Sequence, residues 1–328
     1  MSIGEHVWAL VLAAGEGSRL RSLTTMSGGA HVPKQFCSLQ GGPSLLQETL
    51  RRAQSIAAPE RIGTIVAAQH SRWWSSRLVT QAELTWIVQP ENRGTANGIL
   101  LGLVHVLERN PDATLVLLPS DHHCQDEPTL RHALRQAVAR LSVRPHEILL
   151  LGIAADAPDP ELGYIVPDNV YRDGFSPIAE FVEKPTLPGA EALIERGALW
   201  NAFIFTAKGR ALLALFERRF PRIVRDMRCA VRSVMKSPQN ATPMEELYGD
   251  LPFLDFSRHV LQDSRHEGLC VLAVPSCGWS DLGTPERIAE TLRRIPNPGY
   301  PSETFTGEAA QISLAERHRA KATAGTRI

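Results

Sequence analysis

An apolar run, Val7–Ala14, breaks without transition into Gly15-Glu16-Gly17-Ser18-Arg19-Leu20, and Pro33-Lys34-Gln35-Phe36 follows shortly after. A buried strand that opens into a glycine loop brings backbone N–H groups up to a phosphate with no Cβ in the way. Arg19 and Lys34 add fixed positive charge suited to a polyphosphate. Two common phosphate loops are excluded. A dinucleotide-binding loop needs a third glycine where this chain has Leu20, and the Walker A pattern occurs nowhere in the chain. A plain strand–turn–helix and a nucleotide loop of another kind both remain open on the G-x-G alone.

The rest of the first half repeats the same alternation. Apolar runs at Ile62–Ala68, Leu84–Val88, Thr114–Leu118 and Ile148–Ile153 read as strands. Ser44–Ala57, Ala96–Leu107 and Thr129–Leu141 carry leucines and alanines at helical spacing between them. Such βαβ units predict a parallel sheet covered by helices on both faces, so its strands are apolar throughout. Ligands of open α/β sheets sit beyond the carboxyl ends of the strands. That rule places Gly15–Arg19, Gln89–Thr95 and Asp121 along one rim. From Gly163 the texture shifts to shorter, turn-rich β segments: Gly163–Val166, Ala179–Val182 and Ala202–Phe205. Helices over Ala207–Phe220 and Ile223–Val234, a strand at Val271–Val274 and a helix over Pro285–Arg294 follow. The expected class is α/β: a Rossmann-like, mostly parallel sheet flanked by helices, with a small mixed β insertion forming the far wall of the site.

Bulk properties exclude several partners. The 328 residues hold 35 basic and 35 acidic side chains with no block of one sign, so neither a nucleic-acid nor an anionic membrane surface is suggested. No apolar stretch reaches the length of a membrane span, and no leader pattern precedes Val7. The five cysteines are scattered without a C-x-x-C pair, which predicts free thiols in a reducing, cytoplasmic setting and no zinc site or disulfide framework.

Several further segments carry chemistry: Gln89-Pro90-Glu91-Asn92-Arg93-Gly94-Thr95, Pro119-Ser120-Asp121-His122, Phe181-Val182-Glu183-Lys184-Pro185, Trp200-Asn201 and Gly278-Trp279-Ser280-Asp281-Leu282-Gly283. In this order, with the opening loop and Pro33–Phe36, they resemble the motifs of the sugar-1-phosphate nucleotidyltransferases over roughly residues 7–290. Within that family the likeness is to the mannose-1-phosphate guanylyltransferases. The resemblance implies one domain over residues 1–295, with a nucleotide-binding part to about 160 and a sugar-phosphate-binding part from 161, then a polar tail over 296–328. It implies a GTP and a sugar-1-phosphate as partners, with a homodimer as a compatible assembly.

Carried onto this chain, the resemblance implies three catalytic residues, Arg19, Lys34 and Lys184. Arg19 grips the departing pyrophosphate, Lys34 neutralises the triphosphate near the reacting phosphorus, and Lys184 holds the acceptor phosphate. Ala13, Ala14, Gly15, Gly17, Ser18, Gln89, Asn92, Gly94, Thr95 and Asp121 complete the nucleotide side. Gly163, Glu183 and Asn201 complete the sugar side. Asp121 and Asp281 are the two carboxylates assigned to Mg²⁺, a cation that takes carboxylate together with phosphate oxygens. No general base is required, since a phosphate monoester with a second pKa near 6 is already largely ionised at neutral pH. His122 and His123 are therefore left out of catalysis, one of them being expected buried and hydrogen-bonded.

Three departures bear on the acceptor. Phe203 stands where the family's W-N-x-G turn carries glycine, Val260 stands where an acidic residue is common, and Thr25–Val32 is longer than usual and suggests a lid. Two readings stay open beside guanylyl transfer to mannose-1-phosphate. One is the same chemistry on another sugar- or cyclitol-1-phosphate or another nucleotide. The other is a non-catalytic sugar-nucleotide-binding subunit.

Overall fold

Alternate residues of the apolar runs enter two separate cores, which is why those runs carry no polar face. In the first strand Val7, Ala9, Val11 and Ala13 pack into one core, while Trp8 and Leu10 pack into the other. The same division recurs at Val116 and Leu118 against Leu115 and Leu117. Each leucine so buried contributes about 1.5–3 kcal/mol. The computed structural model describes residues 6–26, 29–75, 84–168, 173–262 and 268–295. The sequence-predicted tail, 296–328, and part of the expected lid, Ser27 and Gly28, lie outside them.

The first half runs β1 (Val7–Ala13), α1 (Arg21–Thr24), α2 (Leu45–Gln54), β2 (Ile62–Ala67), α3 (Ser71–Trp74), β3 (Thr85–Gln89), α4 (Thr95–Leu107), β4 (Thr114–Pro119), α5 (Glu127–Val143) and β5 (Ile148–Ala154). The second half runs β6 (Gly163–Pro167), β7 (Phe175–Glu183), α6 (Leu187–Glu195), β8 (Leu199–Lys208), α7 (Gly209–Arg219), α8 (Pro221–Lys236), α9 (Thr242–Asp250), β9 (Leu269–Val274) and α10 (Pro285–Arg294). Helix starts follow from their caps. Ser44 and Gln47 form a capping box at α2, Asp126 accepts from Thr129 at α5, and Thr284 accepts from Arg287 at α10.

The sheet order is β3-β2-β1-β4-β8-β5-β9-β7-β6. β3, β2, β1 and β4 are parallel to one another, as the βαβ reading predicts. β8 enters antiparallel between β4 and β5. Because Leu117 of β4 faces Phe205 of β8, the start of β8 overhangs the carboxyl end of β4 and carries Asn201 to that rim. β9, β7 and β6 extend the sheet beyond β5, and β6 also pairs, through Tyr164 and Ile165, with the start of β8. The mixed insertion thus curls back over the rim where β1 and β4 end.

β7 and β8 are longer than the sequence patterns suggest, because Ser176, Pro177 and Asn201 interrupt the apolar alternation that marks their cores. No periodicity in the sequence announces α9, whose buried side chains are Met244 and Tyr248 alone. The five cysteines are free, four buried and Cys229 exposed. Among the described residues no helix is long and apolar enough to cross a membrane.

Candidate active site

The loop after β1 is held by its neighbours. Gly17 has φ +61°, and a Cβ on it would stand 3.1 Å from both the Cβ and the backbone nitrogen of Lys34. Glycine therefore meets two demands there, a left-handed backbone and close approach. Gln35, buried, donates from Nε2 to the Ala13 carbonyl at 2.9 Å and the Gly15 carbonyl at 3.1 Å. Gly15, Ser18 and Arg19 are exposed at the loop's tip, whereas Ala13 is buried at the strand end. Across the expected lid, Thr25 pairs with His31, whose Nε2 lies 2.9 Å from the Glu16 carbonyl.

A cleft of about 300 Å³ opens beside this loop. Its walls include Gly15, Arg19, Thr95 and Asp121 from the nucleotide half. Gly163, Glu183, Lys184, Asn201 and Asp281 come from the other half. Motifs separated by more than a hundred residues are thus gathered around one space. Arg19 Nη1 lies 2.7 Å and Lys184 Nζ 3.4 Å from the same oxygen, Oε2 of Glu161. Two cations assigned to different substrates are therefore within reach of a single oxyanion.

On the sugar side, Gly163 pairs with Glu183 across β6 and β7. A Cβ on Gly163 would come within 2.7 Å of Glu183 Oε2 and 3.5 Å of Asn201 Cβ, so glycine there lets the two side chains converge. Burial and then Asp255 push the Glu183 carboxyl up, against the opposing pull of Lys184 and Arg258. Asp255 and Ser257 also line the cleft, ahead of a π-helical turn over Ser257–Leu261.

The two expected metal carboxylates are each ion-paired. Asp121 Oδ2 lies 2.8 Å from Lys34 Nζ. Asp281 Oδ1 lies 2.9 Å from Arg287 Nε and accepts from the Gly283 N–H at 3.1 Å. Burial alone would raise the Asp121 carboxyl, but the Lys34 ammonium and the neighbouring His122 outweigh it and hold it below the usual range. Arg287 in turn binds Asp159 at 2.6 Å and sits over the Trp200 ring, tying Asp281 to the segment before β6.

Lys34 is placed differently from the expectation. Its side chain is 6% exposed and does not line the cleft; Nζ donates to the Asp281 carbonyl at 2.6 Å besides pairing with Asp121. Its charge reaches the cleft through Asp121. Gln89 and Asn92 are also turned elsewhere. The Gln89 amide is buried 3.5 Å from the Tyr248 hydroxyl, and Asn92 Oδ1 accepts from the Gly94 N–H at 3.0 Å in a tight turn. Gly94, at φ +89°, leaves 2.3 Å between a notional Cβ and the Leu254 carbonyl oxygen, so glycine there lets the start of α4 approach that segment closely. Thr95 Oγ1 accepts from the Phe256 N–H at 2.8 Å while facing the cleft.

His122 and His123 point to different sides, as adjacent extended residues do. His122 stands edge-on to Trp279, its Nε2 3.6 Å from Asp121; His123 Nδ1 is 3.8 Å from Glu48. Among the described residues neither ring makes the expected side-chain hydrogen bond, both distances exceeding its range. Burial pushes the His122 imidazole down to about 4, with Lys34 and Arg52 adding to it against Asp121 and Asp281. Burial, with Arg109, does the same to His105. An unfolded histidine protonates near 6.5, so the unfolded chain binds more protons between about 6.5 and 4. The stability these neutral rings contribute is complete above 6.5 and falls as pH drops to 4, on the order of 3 kcal/mol each at most. The thermal midpoint should therefore decline steadily from pH 7 to 4.5, and His122→Asn should flatten part of that decline. An unchanged slope in the variant would show that His122 does not carry it.

Three non-glycine residues among those described have positive φ: Lys184 (+50°), Phe203 (+55°) and Leu282 (+48°). All three adjoin the cleft residues, Lys184 following Glu183, Leu282 following Asp281 and Phe203 two after Asn201. Each conformation costs on the order of 1–3 kcal/mol, and such strain concentrates at functional sites. Glu161, Gln35, Arg287 and Asp255 are given no role on sequence grounds, although Gln35 and Asp255 fall inside segments that resemble the family's. The position of Gln35 inside the Pro33–Phe36 motif was the available signal for it; Glu161 and Arg287 carried none beyond proximity to Gly163 and Asp281.

The family model for nucleotidyl transferase matches residues 8–297. The chain belongs to that family. It is 28% identical over 286 residues to the alginate biosynthesis protein AlgA of Pseudomonas syringae pv. tomato (strain ATCC BAA-871 / DC3000), a match covering 84% of this chain and 56% of that one. It is 29% identical to mannose-1-phosphate guanylyltransferase 2 of Escherichia coli O157:H7, covering 84% and 58%. The chain thus spans somewhat over half the length of these relatives. Among solved structures it is similar to one named mannose-1-phosphate geranyltransferase from Thermus thermophilus, with a TM-score of 0.74, 25% identity, and 89% and 80% of the two chains covered. The family match covers both halves of the cleft.

Proposed function

We propose that this protein transfers GMP from GTP to a hexose-1-phosphate, with mannose-1-phosphate as the acceptor, releasing pyrophosphate. The observation that carries the reading is the shared oxygen of Glu161, which Arg19 and Lys184 both approach. A phosphate oxygen presented between those cations would meet the same charges. In this reading an oxygen of the acceptor phosphate attacks the α-phosphorus in line. A new P–O bond forms there, the bond to the β-phosphate oxygen breaks, and pyrophosphate takes the electron pair.

Both reactants are anionic, so charge neutralisation and alignment supply most of the acceleration. Arg19 holds the departing pyrophosphate, and Lys184 holds and aims the acceptor phosphate. Glu183 and Asn201 accept and donate to sugar hydroxyls around Gly163. Gln35 fixes the Ala13–Gly15 backbone against which the nucleotide rests, with Thr95 on the facing wall. Lys34 keeps Asp121 ionised and in place; Arg287 holds the Asp281 side chain in position.

Asp121 and Asp281 suit a magnesium ion, which needs only one or two protein carboxylates when phosphates and waters complete its shell. Among the described residues no group of three or more histidine, cysteine, aspartate or glutamate side chains could hold a metal unaided. When bound, Mg²⁺ would draw negative charge from the α-phosphate and the leaving group. Pyrophosphate release measured with four nucleoside triphosphates against a panel of sugar-1-phosphates tests the proposal. Turnover should be highest with GTP and mannose-1-phosphate and should require Mg²⁺. No release with any guanosine pair would refute the guanylyl assignment.

A further inference from the structure

The register between β5 and β8 slips at one place. Leu150 faces Phe205 and Gly152 faces Asn201, so Ala202, Phe203 and Ile204 stand opposite the single residue Leu151. This is a β-bulge, a device that re-aims a side chain. At its centre Phe203 adopts φ +55°, a conformation that glycine tolerates and a bulky side chain resists. Its N–H donates to Asn201 Oδ1 at 3.0 Å, which couples the bulge to a sugar-side residue. The ring is half-buried, lines the cleft, and meets Phe256 edge-on at 6.1 Å. Phe256 is stacked on Phe205 and tilted against Phe216, so the platform behind Phe203 is rigid.

We infer that Phe203 is the specificity-determining residue of the acceptor half. It forms an aromatic wall that takes the C–H face of a pyranose-1-phosphate whose hydroxyls turn toward Glu183 and Asp255. The inference rests on the proposed reaction and deepens it. An aromatic face adds to the epimer discrimination that directional hydrogen bonds give, since an axial hydroxyl on the stacked face removes the contact. A residue needed only to fill the core gains nothing from a left-handed conformation at a bulge that opens toward the cleft.

The test compares wild type with Phe203→Gly and Phe203→Leu, using GTP with mannose-, glucose- and galactose-1-phosphate. Phe203→Gly should raise the KM of the preferred sugar phosphate about tenfold and compress the preference among the epimers, while the KM for GTP stays within about twofold. Phe203→Leu keeps an apolar side chain without a π face and should fall between the two. Relief of strain offsets only part of the packing lost in Phe203→Gly, so its thermal midpoint should fall under either role and the acceptor kinetics decide. A purely structural Phe203 would leave acceptor KM and epimer preference unmoved, which would overturn the inference alone. Wild type that releases no pyrophosphate with any pair would overturn the proposed reaction and the inference with it.

Discussion

Asp121→Asn is expected to lower pyrophosphate release on the order of a thousandfold, the scale of several kcal/mol of lost charge stabilisation in the transition state. The substitution is nearly isosteric. The amide oxygen can still accept from Lys34 Nζ, now 2.8 Å from Asp121 Oδ2, so the local backbone has little reason to move. Lost with the charge is a ligand suited to Mg²⁺ at the end of β4, next to the loop that β1 delivers. The variant should keep its cooperative thermal transition and lose turnover at saturating substrates. Near-wild-type turnover in a folded Asp121→Asn protein would remove Asp121 from the chemistry.

Lys34→Met should act on stability and on pH dependence together. Lys34 is the buried cation that offsets the cost of keeping Asp121 charged, and its ammonium also bonds the Asp281 carbonyl. Breaking such a pair strands the partner, at about 2–3 kcal/mol here, less than for a fully buried pair because 35% of the Asp121 side chain faces the cleft. Without Lys34 the burial that raises the Asp121 carboxyl is no longer outweighed, so its pKa climbs. The acid limb of the rate profile should then move to higher pH, with activity lost progressively as pH falls. An unmoved acid limb in a protein that still turns over would show that Lys34 does not act through Asp121, and would favour the direct contact with the triphosphate implied by the family resemblance.

The strands of the first half are legible in the sequence because each feeds two cores, and a segment that is apolar on both faces has few alternatives. β7 and β8 are harder to read, since Pro177 and Asn201 answer to pairing partners far away in sequence. α9 shows too little periodicity to be read at all. The candidate cleft is legible where a lining residue stands near the end of a strand, as with Gly15, Asp121, Glu183 and Asn201. It is illegible where a residue acts through another: Arg287 on Asp281, Gln35 on the Gly15 carbonyl, Glu161 between Arg19 and Lys184. Gln89 shows the converse, since a strand-end amide that looks available to a base is turned into the core against Tyr248. Phe203 breaks a local rule in a way the sequence displays, yet only the bulge in β8 shows where its ring is aimed.

Transfer of a labelled acceptor phosphate tests the account at its root. Mannose-1-phosphate carrying ¹⁸O in its non-bridging phosphate oxygens would be incubated with GTP and Mg²⁺, and both products weighed by mass spectrometry. Attack of the acceptor phosphate on the α-phosphorus requires that all of the label appear in the GDP-sugar and none in the pyrophosphate. Label in the pyrophosphate, or a GDP-sugar that lacks it, would contradict nucleotidyl transfer by this cleft.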